Sequence, residues 1–363
     1  MINTDIEIYN QSFQLLAILD VYESLIWNVR YYENGDFELI VPDKNNILKD
    51  LAVDNYISIA SSDRYMIIEK QEPQGNTTDG NKVKISGRSL ESILARRIVW
   101  EQTTVYGNLQ NAIKKLITDA IINPSIAERR IDNFIFVDST DPAVTGISIS
   151  ETQFTGDNLL EVISSLCKVA KIGFKITLNS NKQFCFQLYA GVERTNRQLN
   201  NPTVEFSANN DNLISTKFVM DKTNYCNVTL IAGEGEGLER KTSTYGSGSG
   251  LHRRELFTDA RDISSNAGSE EEIPLADYLV LLQQRGKEKL AERVIERTID
   301  SKVDSSDETI YKFNSDYFLG DIVDVVDYGD RVSTSRIVEM TTTITTSDIS
   351  LHPIFEYEDL ISA

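Results

Sequence analysis

The sequence predicts a β-rich α+β fold spread over several domains, and three observations predict it. Apolar and polar side chains alternate in short runs over residues 1 to about 100; the period then becomes helical; strand-like runs return toward the C-terminus in an order that echoes the N-terminal one. The 363 residues leave room for two or three domains, each with its own core. With 40% hydrophobic and 25% charged residues the composition is that of a packed globular chain.

The first stretch contains Ile6-Glu7-Ile8-Tyr9, Phe37-Glu38-Leu39-Ile40-Val41, Tyr56-Ile57-Ser58-Ile59, Tyr65-Met66-Ile67-Ile68-Glu69 and Val83-Lys84-Ile85-Ser86. Period-two patterning of this kind describes antiparallel strands with one buried face, so the stretch reads as a small barrel or sandwich. Asn34-Gly35-Asp36 and Asp79-Gly80-Asn81 supply the positive-φ residues of tight hairpins. Next, Leu109, Ile113, Leu116, Ile117, Ala120 and Ile121 share a helical face that ends before Pro124. A second helix runs from an N-cap at Asp157 through Leu160, Ile163, Leu166 and Val169 to a stop at Gly173.

Two strands, Phe174 to Leu178 and Phe184 to Tyr189, complete this α+β unit. Strand signals resume at Thr203 to Phe206, Ile214 to Met220 and Asn227 to Ala232. A Gly/Ser-rich segment around Tyr245 to Gly250 reads as a mobile loop. Beyond Ser269-Glu270-Glu271-Glu272 a long helix is expected from about Pro274 to Thr298, and residues 310 to 357 return to alternating strands. The N-terminal order Ile57-Ser58-Ile59, Met66-Ile67-Ile68-Glu69, Val83-Lys84-Ile85 is echoed by Ile322-Val323-Asp324-Val325, the turn Tyr328-Gly329-Asp330, Arg336-Ile337-Val338-Glu339 and Ile349-Ser350-Leu351. One three-strand unit used twice explains the echo.

Composition also excludes functions. A formal charge of −19 opposes the counterion-releasing grip by which proteins hold phosphate backbones. Cys167, Cys185 and Cys226 form no CxxC motif and read as small hydrophobes made in a reducing cytoplasm. The N-terminus has neither a basic n-region nor an apolar h-region, and no run approaches a membrane span, so stable membrane insertion is not expected.

No motif carries chemistry. Gly233-Glu234-Gly235-Glu236-Gly237 resembles a phosphate loop only superficially, since its glutamates oppose an anion and no Gly-Lys-Ser/Thr follows; it reads as a turn. His252 and His352 lack clustered partners for a nucleophile or zinc site and read as surface or interface residues. Asp321, Asp324, Asp327 and Asp330 recur every third residue without the alternate spacing of a calcium loop, and a solvated strand edge is the expected place for them. Nothing singles out a hydrolytic carboxylate pair, and no cofactor or metal is expected. Arg240, Lys241, Arg253 and Arg254 bracket the Gly/Ser loop, where an acidic neighbouring chain would suit them, although such runs are ordinarily just solvated. Trp27 and Trp100 sit beside strand-like or helix-entry runs and read as buried.

Several blocks, taken together, resemble the siphophage tail-hub family, also called tail-associated proteins, whose fold is similar to the baseplate hub of contractile tails. They are residues 35–42 (GDFELIVP), 87–97 (GRSLESILARR), 191–195 (GVERT), 204–207 (VEFS), 224–227 (NYCN), 250–255 (GLHRRE), 259–262 (DARD) and 319–321 (LGD), in order along nearly the whole chain.

The resemblance implies a homotrimeric ring in which two tube-like antiparallel β-barrels per subunit mimic the subunits of a hexameric tail tube. It assigns residues 1–99 to the first barrel and 203–238 plus 306–352 to the second. The peripheral parts are an α+β domain at 100–202, an insertion at 239–305 with the flexible loop and long helix, and a tail at 353–363. The implied function is a structural tail-tip hub that adapts a sixfold tube to a threefold spike or fibre around the ejection channel, at the virion tail tip and not as an enzyme. Implied partners are the tube or distal tail ring, the spike or fibre, the tape-measure C-terminus, and DNA only in transit past an acidic lumen. Many relatives continue into a fibre or hydrolase region, whereas this sequence stops at Ala363; receptor binding or wall cutting would then belong to another polypeptide, as in a contractile tail or tail-like bacteriocin.

In such a ring Arg88, after the turn at Gly87, is a candidate for a carboxylate pair at a barrel corner. With it, Arg240, Lys241, Arg253, Arg254, Asp321 and Asp324 are the candidate interface residues. The rivals are a tail-associated cell-wall hydrolase, which would cut purified peptidoglycan by itself, and a receptor-binding adhesin, which would show exposed aromatic platforms.

Overall fold

The computed structural model describes residues 4–43, 47–60, 62–76, 80–266, 273–306, 308–326 and 331–358. Asp79, the run 269–272, Asp327 and the turn 328–330 lie outside them.

Seven strands come first: β1 (Ile6–Tyr9), β2 (Leu15–Leu19), β3 (Ser24–Arg30), β4 (Asp36–Pro42), β5 (Tyr56–Ile59), β6 (Met66–Asn76) and β7 (Gly80–Ser89), with the short helix α1 (Ile47–Asp50) between β4 and β5. There follow β8 (Thr103–Asn108), α2 (Leu109–Ile117), β9 (Phe134–Val137), α3 (Pro142–Thr145), β10 (Ser148–Phe154), α4 (Leu159–Ala170), β11 (Gly173–Leu178) and β12 (Phe184–Tyr189). The rest comprises β13 (Glu205–Ser207), β14 (Leu213–Asp221), β15 (Val228–Ala232), β16 (Thr242–Gly246), β17 (Glu255–Asp259), α5 (Leu275–Ala291), β18 (Glu296–Val303), β19 (Ile322–Val326), β20 (Val332–Thr345) and β21 (Ile349–Tyr357). The fold is β-rich α+β with large antiparallel sheets, as the period-two runs predict.

Contacts divide the chain into two units. Unit one gathers residues 1–92, 172–219 and 298–363; unit two gathers 93–171 and 220–297. The expected α+β segment 100–202 thus contributes α2 and α4 to unit two and the β11–β12 hairpin to unit one. Of the stretch 203–238, residues from Met220 onward lie in unit two.

Unit one is built on a 13-stranded sheet in the order β14-β18-β21-β20-β3-β4-β7-β6-β5-β1-β2, with β19 also on β20 and β13 on β19. Two separate hydrophobic cores lie along it. One is made by Ile6, Ile8, Leu25, Trp27, Phe37, Leu39, Ile57, Met66 and Ile85 with their neighbours; the other by Tyr31, Phe206, Val323, Val325, Ile337, Met340 and Phe355 with theirs. The join is β3 against β20, seven antiparallel pairs from Ser24↔Thr345 to Arg30↔Glu339. The two echoed segments are both antiparallel meanders, β5-β6-β7 and β19-β20-β21.

In unit two, β15 is the middle strand of a small sheet, antiparallel to β16 and parallel to β17. Helix α5 covers it, with Tyr278, Leu281 and Leu282 against Ile231, Ala260 and Ile263. Gly286 allows the close approach: a Cβ there would come within 2.6 Å of Ile231 Cδ1. β8 pairs with β10, and α2 turns its apolar face of Leu109, Ala112, Ile113, Leu116 and Ile117 inward.

Several expectations are corrected. Helix α4 is capped by Asn158, one residue after Asp157, its Oδ1 accepting from the N–H of Leu160 at 3.0 Å, and it ends at Lys171 in the left-handed region rather than at Gly173. The long helix stops at Ala291, because β-branched Thr298, Ile299 and Val303 go into β18 against β21 instead. The Gly/Ser segment opens as strand: Tyr245 and Gly246 pair with Thr229 and Val228, and Ser247 donates to the carbonyl of Asn227 at 3.0 Å. By contrast, the strand signal read through residue 357 agrees with β21, which runs to Tyr357 and is anchored by fully buried Phe355.

Candidate functional site

The basic cluster lies in unit two around the β15 sheet, and each member is held within the chain. Arg240 donates from Nε to the carbonyl of Gly233 at 3.0 Å and from Nη2 to the carbonyl of Ala232 at 2.9 Å and to Asp259 at 2.7 Å. Hydrogen bonds from Arg261, with the charges of Arg261 and Arg240 adding, hold the Asp259 carboxyl down at about 2. Lys241 reaches Glu234 at 3.4 Å. Arg253 pairs with Glu255, and Arg254 donates to the carbonyl of Lys222. The Gly233–Gly237 turn uses its own acid: Glu234 accepts from the N–H of Ser265 at 2.8 Å and from its hydroxyl at 2.7 Å. Burial works against that carboxylate, yet these bonds keep it below its ordinary pKa.

Asp321 and Asp324 belong to unit one, and the solvated-edge expectation for them is overturned. Both are buried. Asp321 receives Arg194 Nε at 2.6 Å and the N–H groups of Val192 at 2.9 Å and Phe318 at 3.0 Å. Asp324 receives the N–H of Asn196 at 2.9 Å. The loop after β12 supplies donors that a strand reading of residues 321–324 alone does not contain, so these acids serve as internal staples. Arg88 makes a bidentate carboxylate pair, Nε and Nη2 on the two Glu69 oxygens at 2.7 and 2.8 Å.

Some features escaped the sequence reading. The main path of the sheet of unit one ends in β2 and β14, and both present large apolar side chains to solvent: Leu15, Leu16 and Ile18 on one, Ile214 and Phe218 on the other. The run Leu15-Leu16-Ala17-Ile18-Leu19 was the available signal; its lack of alternation marks a strand with no single buried face. Trp27 is buried as expected, but Trp100 is 55% exposed, which overturns the expectation for it. His252 is exposed, whereas His352 lies half-buried on β21. Cys167 and Cys185 are buried and Cys226 partly so. Among the described residues no group of three or more His, Cys, Asp or Glu could hold a metal ion, and no helix is long and apolar enough to cross a membrane.

This is the fold of phage tail proteins. The chain matches the tail protein from Neisseria meningitidis MC58 with a TM-score of 0.55 at 12% identity, covering 98% of this chain and 96% of that one. It matches the 43 kDa tail protein of prophage MuSo2 from Shewanella oneidensis with 0.55 at 11%, covering 97% and 98%. For prophage tail protein gp18 from Listeria monocytogenes EGD-e the values are 0.51, 12%, 99% and 96%. The chain belongs to the Siphovirus ReqiPepy6 Gp37-like protein family, whose model matches residues 5–355. None of the curated proteins matches it in sequence.

Proposed function

We propose that the chain is the hub of the tail tip, a homotrimeric ring that joins the sixfold tail tube above to a threefold spike or fibre below. One observation carries this reading: two hydrophobic cores, each with an antiparallel meander, are strung on one sheet, and the strands β2 and β14 at the two ends of its main path expose apolar side chains. On this reading β1–β7 make the first tube-like barrel and β13, β14 and β18–β21 the second. Three chains then offer six comparable β-units to a hexameric tube. Exposed sheet edges are sticky in isolation, and a ring in which β2 of one subunit approaches β14 of the next removes both at once. The role is mechanical, and the acidic chain suits a channel past which DNA slides without adhering.

Mass photometry of the purified chain, followed by projection imaging, tests the proposal. A trimer with threefold symmetry and a central hole is expected. A chain that stays monomeric across the accessible concentration range overturns it.

A further inference from the structure

We infer that unit two carries a binding site for a neutral saccharide, built around Trp100, independent of the hub reading. Between the Val99–Thr103 segment and α2 lies a hollow of about 300 Å³, at the small end of the size range of ligand clefts. Trp100 lines it and stays 55% exposed even though the Arg129 guanidinium sits 5.3 Å from its ring centroid. Arg129 is itself tied down, donating to the carbonyl of Ile98 at 2.7 Å and accepting Arg97 on its own carbonyl at 2.9 Å. The indole is therefore a braced aromatic platform in a concave place, where an isolated surface hydrophobe would need no explanation.

The lining selects the ligand class. Its charged side chains are Glu101 and Asp119 against Lys115 and Arg129, so the formal charges cancel. They are also engaged locally: Lys115 with Asp119 at 2.5 Å, and Glu101 accepting the Ser125 hydroxyl at 2.6 Å. A phosphate or a carboxylate would meet no surplus of positive charge, and a cation no surplus of negative charge. What remains is a flat apolar ring beside neutral amides. Gln102 spends one amide proton on Gln153 at 2.7 Å and keeps further capacity, and Asn123 adds a second amide. An aromatic face for C–H groups with amides and a carboxylate for hydroxyls is the chemistry that holds a pyranose ring.

Saturation-transfer NMR with glucose, galactose, rhamnose and N-acetylglucosamine oligosaccharides tests this, read beside tryptophan emission. The chain has two tryptophans and Trp27 is buried, so a sugar-dependent emission change reports Trp100. Transfer from at least one sugar with a dissociation constant of about 1 to 10 mM is expected, abolished by Trp100→Ala and weakened at least about fivefold by Asn123→Ala, with melting curves unchanged. Absence of transfer from every sugar at about 10 mM, or transfer indifferent to both substitutions, overturns the inference. So does a response confined to neutral peptides.

Discussion

Tyr31 and Gly191 are joined by a hydrogen bond from the Gly191 backbone N–H to the Tyr31 hydroxyl at 3.0 Å, and that hydroxyl in turn donates to the carbonyl of Tyr189 at 3.3 Å. Tyr31, fully buried, thereby fastens the segment after β12 to the end of β3. Two glycines make room for its ring: a Cβ at Gly173 or at Gly320 would lie 2.3 Å from a ring carbon, and Gly320 also holds a φ of +95°.

The first prediction concerns those glycines. Gly320→Ala combines ring overlap with a left-handed backbone, so it should lower unfolding free energy by about 3 kcal/mol or more. Tyr31→Phe keeps the ring and loses only the hydroxyl, and a loss of about 1 to 2 kcal/mol is expected. Urea unfolding midpoints measure both, and an unchanged Gly320→Ala midpoint would contradict the packing argument.

Asp321 makes a sharper case. Its two oxygens take a guanidinium and two backbone N–H groups in a buried place. Asp321→Asn puts an NH₂ where donors already point and leaves Arg194 uncompensated, so a loss of about 3 to 5 kcal/mol is expected. Arg88→Ala breaks a pair that is partly exposed, and it should cost less than about 1 kcal/mol. The contrast between the two variants in one chemical-denaturation series checks the claim.

Strand runs and helix faces were legible because periodicity is a local property: β12 runs from Phe184 to Tyr189 as expected, and the apolar face of α2 is the one read from Leu109, Ile113, Leu116 and Ile117. Burial of polar residues was not legible. Asp321 and Asp324 recur at a spacing that suggests a wet edge, and only the arrival of Arg194 and Asn196, more than a hundred residues away, makes them interior groups. Trp100 was misjudged for the converse reason. A large apolar residue beside apolar neighbours is ordinarily core, and what leaves it open is the shape of the hollow facing α2.

Edge strands supply the test of assembly. Ile18→Lys on β2 and Phe218→Lys on β14 replace exposed apolar groups with charges, and neither should move the monomer's stability by more than about 0.5 kcal/mol. Each should shift the proposed trimer toward monomer on mass photometry. If both leave the oligomer intact, these strands are not where subunits meet.

The last prediction uses pH. Glu288 on α5 is half-buried, and desolvation raises its pKa above the ordinary 4.5 despite hydrogen bonds from Thr152 at 2.5 Å and Gln284 at 2.9 Å and the nearby Arg285 and Lys289 charges. A carboxyl with a raised folded pKa binds its proton more tightly in the native state than in the unfolded one. Its contribution to stability is therefore complete below the unfolded value and is lost as pH rises through the folded value. Above that window the ionised group is a burden that a neutral amide lacks, while a Gln carbonyl can still accept from Thr152 and Gln284. Glu288→Gln should therefore raise unfolding free energy at pH values above the window. The gain should close as pH falls below about 4.5, where wild type carries the proton. Thermal unfolding of both proteins from acid to neutral pH measures the difference, and a gap that is constant or that widens toward acid would show the carboxylate to be a net stabiliser.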